Sequence, residues 1–404
     1  MDSDNSRALD HRSIGRKLGL FHQQDDGPGM VFWHPRGFAL YHLIEDYIRR
    51  RMRKAGFQEI RTPQVLSRSL WERSGHWQKF RGNMFAFHQD GEDGHRDYAL
   101  KPMSCPCHVQ VFNAELRSFR DLPLRYAEFG LCHRNEPSGA LSGLMRTRAF
   151  TQDDAHIFCL DEHVVSEVAK FCVLLRDVYA DFGFDDVIVG FSTRPAIREG
   201  ADDVWDRAEA SLREAADAAG LPYRVQPGEG AFYGPKLEFV LKDARGREWQ
   251  CGTIQLDLVL PEKLDARYVD SHSNRLRPVM IHHAILGSIE RFIAVLLEHY
   301  EGRLPLWLAP EQVAIPSVTT ASAVYAQKIR GAFLCAGFRS RIDVREERIG
   351  RKVADAREAG IPVFIAVGEK EAARGTVALC HADGGQEVIG IDAVIERLKL
   401  EAFK

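Results

Sequence analysis

The sequence contains no apolar run long enough to cross a membrane. Its most apolar stretch, Phe292 to Leu297, ends at Glu298, whereas a membrane-spanning helix needs about 20 apolar residues. The first residues, Met1 to Ser6, are polar and acidic, so they lack the basic and apolar regions of a signal peptide. These absences predict a protein that is neither anchored in a membrane nor exported.

The sequence also lacks an excess of either charge and a disulfide framework. Its 54 Lys and Arg residues nearly balance 57 Asp and Glu residues, giving a formal charge of -3, which does not indicate a uniformly basic, nucleic-acid-binding surface. The 8 cysteines are scattered over 404 residues, as is typical of proteins from a reducing compartment. We therefore predict a cytoplasmic protein with two or three domains.

Two common metal motifs are missing, namely paired C-x2-C segments and an H-E-x-x-H helix. The chain instead has Cys105 in Lys-Pro-Met-Ser-Cys-Pro-Cys-His, His156 in Thr-Gln-Asp-Asp-Ala-His and His282 in Pro-Val-Met-Ile-His-His-Ala. Three protein ligands with one open position are typical of a functional zinc. Because the chain has 16 histidines, residue types alone leave two alternatives open: three unrelated residues, or a local group of Cys105, Cys107 and His108.

A second group of polar residues follows a predicted strand. The stretch from Leu122 predicts a strand that ends in a charged, turn-rich loop, and residues 148–150 predict a strand that returns beside it. Arg134 and Glu136 lie at this junction, where an arginine can clamp a phosphate and a carboxylate can accept from an amino group. The alternative is an exposed turn with a surface ion pair.

Hydrophobic spacing predicts the elements around these motifs. The predicted helices are 35–56, 162–182 and 204–219, and the predicted strands are 57–61, 187–192, 232–239 and 248–257. After His282, residues 285–292 predict a passage from a strand into an apolar helix, with Arg291 just inside the helix. The last two strands are predicted to pair in antiparallel fashion across a turn at residues 243–246. Strict alternation puts Gln250 and Gln255 on opposite faces, so both can face one ligand only if the strand contains a bulge.

The pattern breaks at residues 301–305 and at Pro310, which predicts domains at 1–304 and 310–404. Beyond the break, predicted strands at 313–315, 363–367 and 377–379 alternate with predicted helices at 321–336, 349–359 and 392–401. This alternation is typical of a small α/β domain with a partly parallel sheet.

From about Asp10 onward, the motifs occur in the order found in threonyl-tRNA synthetase, a class II aminoacyl-tRNA synthetase, and the chain closely resembles that family. Phe129 to Gly139 is similar to the class II strand-loop-strand signature, and Gly287 to Phe292 is similar to its third signature. The resemblance implies an α+β catalytic domain, with a six- to seven-stranded antiparallel sheet flanked by helices, followed by an α/β anticodon-binding domain. It also implies a homodimer that pairs near residues 57–63.

The resemblance implies a role for each matching residue. The zinc ligands are matched by Cys105, His156 and His282. The arginines that bind the ATP phosphates are matched by Arg134 and Arg291, and other residues around ATP by Glu136, Arg146 and Gln255. The threonine contacts are matched by Met103, Gln152, Asp154, Tyr233 and Gln250; the catalytic residue that approaches the reacting groups beside the two arginines is matched by Lys236, and an anticodon contact by Glu371. The implied ligands are zinc, ATP with Mg²⁺, threonine and a tRNA.

This chemistry explains the residue types. The threonine carboxylate attacks the α-phosphorus of ATP, so cations must hold two anions together and offset the charge on pyrophosphate. Zinc can bind the amino and hydroxyl groups of threonine, so valine, which lacks the hydroxyl, is expected to be rejected by about 10⁴-fold. Serine lacks only one methyl group, so the pocket is expected to discriminate against it by roughly 10 to 200-fold. Residues before Asp10 leave no room for an editing domain, so we expect the chain alone not to hydrolyse seryl-tRNA.

Four positions depart from the bacterial pattern of the family. Ser104 replaces Asn and Cys107 replaces Gly beside the metal motif, while Glu346 and Cys380 replace an Asn and an Arg that touch anticodon bases. Loss of an arginine able to contact guanine is expected to weaken anticodon reading. Three explanations are open: a housekeeping enzyme with drifted recognition, a specialised or inhibitor-resistant second copy, or a ligase that loads another acceptor such as a carrier. A non-enzymatic RNA binder is the remaining alternative.

Overall fold

The computed structural model describes residues 10–91, 94–243, 246–380 and 385–403. These residues form two compact units. The first unit joins residues 10–22 and 32–47 to residues 297–403, and the second contains residues 23–31 and 48–296. Met1 to Ser6 and residues 244–245 of the predicted turn lie outside the described residues, and the boundary between residues 304 and 310 stays a prediction.

The elements are numbered in chain order. The helices are α1 (His11–Leu18), α2 (Pro35–Lys54), α3 (Arg68–Arg73), α4 (His76–Phe80), α5 (Cys105–Asn113), α6 (Val164–Asp181), α7 (Asp202–Ala218), α8 (Leu260–Lys263), α9 (Ile289–His299), α10 (Ala323–Cys335), α11 (Ile349–Glu358), α12 (Glu369–Arg374) and α13 (Ile391–Ala402). The strands are β1 (Phe21–His22), β2 (Phe32–Trp33), β3 (Gln58–Glu59), β4 (Val65–Ser67), β5 (Ala86–Gly91), β6 (Gly94–Leu100), β7 (Arg117–Ser118), β8 (Leu124–His133), β9 (Ala149–Cys159), β10 (Ile188–Ser192), β11 (Arg224–Gln226), β12 (Lys236–Lys242), β13 (Glu248–Asp257), β14 (Tyr268–Val269), β15 (Arg275–Leu276), β16 (Val279–Ser288), β17 (Val313–Pro316), β18 (Ser340–Asp343), β19 (Val363–Ala366), β20 (Thr376–Cys380) and β21 (Gln386–Gly390).

The second unit is built on an eight-stranded sheet with the order β11-β10-β12-β13-β16-β9-β8-β3. Strands β10 to β8 pair in antiparallel fashion, whereas both edge strands, β11 and β3, pair in parallel. The expected antiparallel sheet of six to seven strands is confirmed for the six central strands, and one parallel strand is added at each edge. Strand β3 lies within the predicted strand 57–61, whereas β11, with three residues, carries too few side chains for a period-2 pattern to reveal it.

The strands at the centre of this sheet are covered on both faces. All residues from Val279 to Leu286 of β16 are buried. Helix α6 covers one face, where the Phe171 ring lies 4.6 Å from the His283 ring and the Tyr179 hydroxyl donates to the Ile285 carbonyl at 2.8 Å. Since neighbouring residues of a strand point to opposite faces, His282 points to the other face, which holds the candidate site.

The late residues of the first unit form the predicted α/β domain. Its five-stranded sheet has the order β18-β17-β19-β20-β21, parallel around β17 and antiparallel from β19 to β21, so the prediction of a partly parallel sheet is confirmed. Phe333 of α10, Val394 of α13 and Ile365 of β19 share its apolar core. Strands β18 and β21 were not predicted, because their polar residues resemble those of loops.

The early residues of the first unit pack on its late residues. Asp10 caps α1 by accepting from the Arg12 amide at 2.8 Å. His11 is buried, and both its amide and its Nδ1 lie near Glu298 Oε1, at 3.1 and 2.8 Å. The Arg36 guanidinium donates to the Leu18 carbonyl at 2.5 Å. Among the described residues, no helix is both long and apolar enough to cross a membrane.

Candidate active site

A cavity of about 480 Å³ in the second unit collects every predicted residue of the zinc, ATP and threonine groups. Its lining includes Met103, Cys105, Arg134, Glu136, Arg146, Gln152, Asp154, His156, Tyr233, Lys236, Gln250, Gln255, His282 and Arg291. The predicted anticodon contact, Glu371, belongs to the first unit. Residues that are more than 180 positions apart in the chain thus line one cavity.

Strand pairing brings the two histidines of the candidate metal centre together. Gln152, Asp154 and His156 occupy alternate positions of β9, so their side chains leave the same face of the sheet. In the antiparallel register of β9 with β16, His282 lies directly opposite His156. Facing residues of this kind have Cβ atoms about 4.5–5.5 Å apart, which suits two ligands of one cation.

The two glutamines of β13 reach the same cavity because the strand contains a bulge. Val240 of β12 pairs with Gln250, whereas its neighbour Phe239 pairs with Gly252, so Cys251 is an extra residue without a partner in this ladder. An extra residue inverts the alternation that follows it. The prediction that Gln250 and Gln255 can face one ligand only across a bulge is confirmed.

Three donor atoms converge at one end of the cavity. The Sγ of Cys105, the first residue of α5, and ring nitrogens of His156 and His282 all lie within 4.8 Å of one another. His156 Nε2 and His282 Nδ1 are 3.0 Å apart, and the three residues are at most 5% exposed. Cys107 and His108 are not part of this cluster, so the structure favours the long-range group over the local one.

The surroundings of these donors fit a zinc ion. His282 Nε2 lies 2.8 Å from the Asp257 carboxylate, which can only accept, so a neutral His282 carries its proton on Nε2 and presents the Nδ1 lone pair to His156. Zinc–nitrogen bonds of about 2.0–2.1 Å in tetrahedral geometry separate two ring nitrogens by about 3.3 Å, close to the observed distance. Burial keeps the pKa of His156 well below its usual value, which leaves the neutral ring that a metal needs.

Cys105 requires a cation to act as a thiolate. Burial and the nearby carboxylates of Asp154 and Asp257 hold the pKa of this thiol well above its usual range. A zinc ion deprotonates a coordinating thiol outright. The donor set is therefore one cysteine and two histidines, with room for an exchangeable ligand on the cavity side.

The two arginines of the predicted phosphate site are held by backbone carbonyls. Arg134 follows the last residue of β8, and its Nε donates to the Pro102 carbonyl at 3.2 Å. Arg291 is the third residue of α9, and its Nε and Nη1 donate to the carbonyls of Met145 and Gln250, each at 2.8 Å. Carbonyls orient a guanidinium without neutralising it, so both positive charges remain available to an anion.

A second bulge delivers Arg291 to the cavity. The pairing of β16 with β9 skips from Ala284 to Ser288, and Asp153 accepts from the amides of Ile285, Leu286 and Gly287, each at 2.9 Å. Gly287 has φ +75, and a Cβ there would lie 2.4 Å from the Cys251 carbonyl. Although the three amides favour the carboxylate, burial raises the pKa of Asp153 to about 7.

Two further cations complete the charged part of the cavity. Arg146 Nη2 lies 2.8 Å from Glu136 Oε2, and Lys236 forms an ion pair with Glu238. Within the described parts of the chain, Gln255 Oε1 is buried without a hydrogen-bond partner. The arrangement can bind a polyanion and offers one unused acceptor to a ligand.

The predicted threonine residues lie next to the candidate metal centre. The ring of Tyr233 stacks on His282 with centroids 4.9 Å apart. Asp154 Oδ1 lies 3.9 Å from His156 Nε2, and burial raises the pKa of its carboxyl group. Gln152 and Met103 are half-buried on the cavity wall. A small polar ligand bound to the metal would contact these side chains.

Two residues beside the candidate ligands, Asp257 and His76, were not predicted from the sequence. Asp257 holds His282, and His76 Nε2 lies 3.8 Å from Cys105 Sγ. Alternation offered one signal, because Asp257 is two residues beyond Gln255 and therefore shares its face. Nothing in the spacing linked His76 to the site, since it comes from the short helix α4.

One departure from the family pattern, Cys107, and the predicted anticodon contact, Glu371, are now located. Cys107 lies in the first turn of α5, and the described non-glycine residues with positive φ are only Asp265, Ser273 and Glu301. The backbone at Cys107 therefore does not require glycine. Glu371 accepts from the Gly368 amide at 2.9 Å and so caps its own helix, α12.

Two family descriptions match the chain. The tRNA synthetase class II core domain (G, H, P, S and T) matches residues 85–300, and the anticodon binding domain matches residues 312–401. The first match covers more than half of the chain. The fold is therefore that of a class II tRNA synthetase core followed by an anticodon-binding domain.

Individual relatives narrow this class. Threonine–tRNA ligase of Hahella chejuensis (strain KCTC 2396) is 55% identical over 98% of this chain and 62% of its own length, and that of Gluconobacter oxydans (strain 621H) is 53% identical over 97% and 61%. The crystal structure of the RNA binding domain of threonyl-tRNA synthetase from Cryptosporidium parvum Iowa II is 40% identical with a TM-score of 0.93, covering 98% of this chain and 99% of that chain. The chain belongs to the threonyl-tRNA synthetase family, and it spans about 61% of the length of the curated relatives it matches.

Proposed function

We propose that this chain activates threonine with ATP in a zinc-dependent reaction and transfers it to a tRNA. The observation that carries the proposal is the placement of the Cys105, His156 and His282 donors at one end of a cavity whose other residues include Arg134, Arg146, Lys236 and Arg291. One part of the cavity suits a small ligand with two donor groups, and the other suits a triphosphate. A relative of this chain carries the name threonine–tRNA ligase.

In this proposal the arginines act on the triphosphate. Arg134 and Arg291, held by carbonyls, bind the phosphates of MgATP and offset the charge that develops on pyrophosphate, while Lys236 faces the reacting groups. Glu136, Arg146 and Gln255 contact the rest of ATP. Because these groups are already positioned, the main contribution to the rate is the alignment of the threonine carboxylate with the α-phosphorus. The products are threonyl-adenylate and pyrophosphate.

In the same proposal, threonine is selected at the end of the cavity that holds the candidate zinc ligands. Cys105, His156 and His282 would hold zinc, which supplies a Lewis acid able to bind the amino and hydroxyl groups of the substrate. Asp154 accepts a hydrogen bond from the hydroxyl, while Met103, Gln152, Tyr233 and Gln250 enclose the amino acid. Valine would leave Asp154 and the cation unsatisfied, a penalty of about 10⁴-fold.

We also propose a division of labour between two domains and a homodimeric assembly. Domains at 1–304 and 310–404 would carry catalysis and anticodon binding, with Glu371 at the anticodon. A cytoplasmic homodimer would pair at residues 57–63, a segment that includes β3, an edge strand of the central sheet. Edge strands present unpaired backbone groups to a neighbour, which supports this location.

Threonine-dependent exchange of pyrophosphate into ATP, followed by charging of tRNA transcripts with varied anticodons, tests the function. Arg291→Gln is expected to lower the exchange rate by roughly 10² to 10³-fold, and the matched Arg277→Gln, which changes an arginine outside the cavity, is expected to leave it unchanged. Exchange without charging would indicate another acceptor. Binding of tRNA without any exchange would contradict the proposal.

A further inference from the structure

A chain of buried polar side chains lies behind His156, on the side away from the cavity cluster. His156 Nδ1 is 2.8 Å from His108 Nδ1, and His108 Nε2 is 3.1 Å from Glu128 Oε2. The Glu128 carboxylate also lies 3.2 Å from the Lys101 ammonium. His108, Glu128 and Lys101 are at most 4% exposed. Burial of this many polar groups is costly unless every one of them is hydrogen-bonded.

The carboxylate fixes the direction of the first hydrogen bond. Glu128 accepts from the Thr62 amide at 2.7 Å and from Lys101. Although burial alone would raise its pKa, hydrogen bonds from His108 and Thr62 and the charge of Lys101 lower the pKa of Glu128 to about 2. An ionised carboxylate only accepts, so His108 carries a proton on Nε2.

The geometry then gives the second hydrogen bond. The two Nδ1 atoms lie 2.8 Å apart, so one of them donates and the other accepts. His156 turns its other nitrogen, Nε2, toward His282 and Cys105, and a nitrogen that binds a metal carries no proton. With His108 donating from Nε2 and accepting at Nδ1, His156 donates from Nδ1, and Nε2 of His156 is left unprotonated beside His282 and Cys105.

We propose that Glu128, balanced by Lys101, is a positioning residue that acts through His108 to keep Nε2 of His156 as the nitrogen available to a metal. The inference rests on the proposed function for the identity of that metal, zinc. Both histidine ligands would then be oriented by a carboxylate, because Asp257 contacts His282 Nε2 directly and leaves Nδ1 of His282 available to the metal. A carboxylate thus directs each histidine, once by contact and once through an intervening ring.

We call the hydrogen bonds that run from Glu128 through His108 to His156 the relay. Glu128→Gln tests the relay because an amide can donate where the carboxylate could only accept. The glutamine amide is expected to donate to His108 Nε2, so His108 would donate from Nδ1 and the proton of His156 would move to Nε2. Side-chain ¹⁵N NMR of the metal-free full chain measures this exchange of tautomers. Competition with a chelator for Zn²⁺ is expected to show affinity roughly 10 to 100-fold weaker.

Two variants serve as controls. Glu167→Gln changes another buried carboxylate, which pairs with Arg125 at 2.7 Å, and is expected to leave the His156 tautomer and the zinc affinity unchanged. Glu128→Asp keeps the charge and is expected to retain the tautomer and most of the affinity. If Glu128→Gln does not fold, the tautomer in the unsubstituted chain decides, since protonation of His156 on Nε2 overturns the proposal.

The outcomes separate this inference from the proposed function. An unchanged tautomer and unchanged zinc affinity in Glu128→Gln would overturn the relay while leaving threonine activation intact. A wild-type chain that binds no zinc but shows the expected tautomer and its reversal would support the relay and contradict the zinc-dependent function.

Discussion

At the scale of single residues, the site depends on side chains that touch no substrate. The donors Cys105, His156 and His282 could be proposed from the sequence because each lies in a motif that resembles a known family. Glu128 could not, because nothing in a one-dimensional pattern relates it to a histidine on another strand. For Asp257, alternation indicates the face of the strand but not the histidine that it contacts. Their roles follow from hydrogen-bond direction, which only three-dimensional positions reveal.

Glu128 is expected to make the folding stability depend on pH in the acid range. Its pKa is lowered from 4.5 to about 2 in the folded chain, so its stabilisation is present above pH 4.5 and is lost as the pH falls through 2. A shift of this size corresponds to about 3 kcal/mol. Denaturant unfolding of the wild type and Glu128→Gln at several pH values measures it, and a difference between them that does not shrink with falling pH would refute the prediction.

At the scale of secondary-structure elements, bulges decide which side chains meet. The alternation of β13 indicated from sequence that a bulge was needed, and the bulge at Cys251 is present. Strand β16 was predicted only at its end, as the passage from strand to helix after His282, because a central strand buried on both faces is a continuous apolar run and cannot be distinguished from a buried helix by periodicity. His282 therefore lies within a strand, and only Arg291 lies in the helix that was predicted to follow.

The bulge before α9 is expected to control ATP binding through Asp153. In Asp153→Asn one carboxylate oxygen becomes an amide NH₂ group, which donates and therefore cannot accept from the backbone amides of residues 285–287. The backbone of the bulge should then change conformation, and Arg291, which follows it, should move. A displacement of about 1 Å can cost 10²-fold in rate. Pyrophosphate exchange should show a raised KM for ATP with little change for threonine, whereas Asp161→Asn, in the turn after β9, should behave as wild type. Equal changes for both substrates would argue against this role.

The carboxylate of Glu371 is expected to stabilise α12 independently of its predicted contact with the anticodon. Removal of its hydrogen bond to the Gly368 amide in Glu371→Ala should lower the free energy of unfolding by about 1 kcal/mol, the usual cost of a lost cap. Glu369→Ala in the same turn is the matched control. Chemical denaturation measures the difference, and equal stability of the two variants would show that the cap contributes nothing.

At the scale of the whole molecule, the order of the domains could be predicted but their composition could not. The alternation of strands and helices beyond residue 310 correctly predicted a separate α/β fold. No local pattern indicated that residues 10–22 and 32–47 belong to the same compact unit as that fold. Contacts such as that of His11 with Glu298 join residues 287 positions apart, beyond the reach of any periodicity.

Removal of zinc is expected to abolish activity before it abolishes structure. The eight-stranded sheet has its own apolar core, so the chelator-treated chain should stay folded by circular dichroism while threonine-dependent exchange is lost. Addition of Zn²⁺ at 100 times its Kd should restore exchange and raise the free energy of unfolding by about 2.7 kcal/mol. Full exchange activity in the chelated protein would contradict the prediction.

The shared unit of early and late residues has a consequence for synthesis on the ribosome. Glu298, the partner of helix α1, is synthesised nearly three hundred residues after it, so the buried side of α1 stays uncovered until then. Contacts between residues this distant in sequence form slowly, and waiting segments are where aggregation starts. A chaperone that holds nascent helices would therefore be needed most in the interval between the synthesis of α1 and that of Glu298.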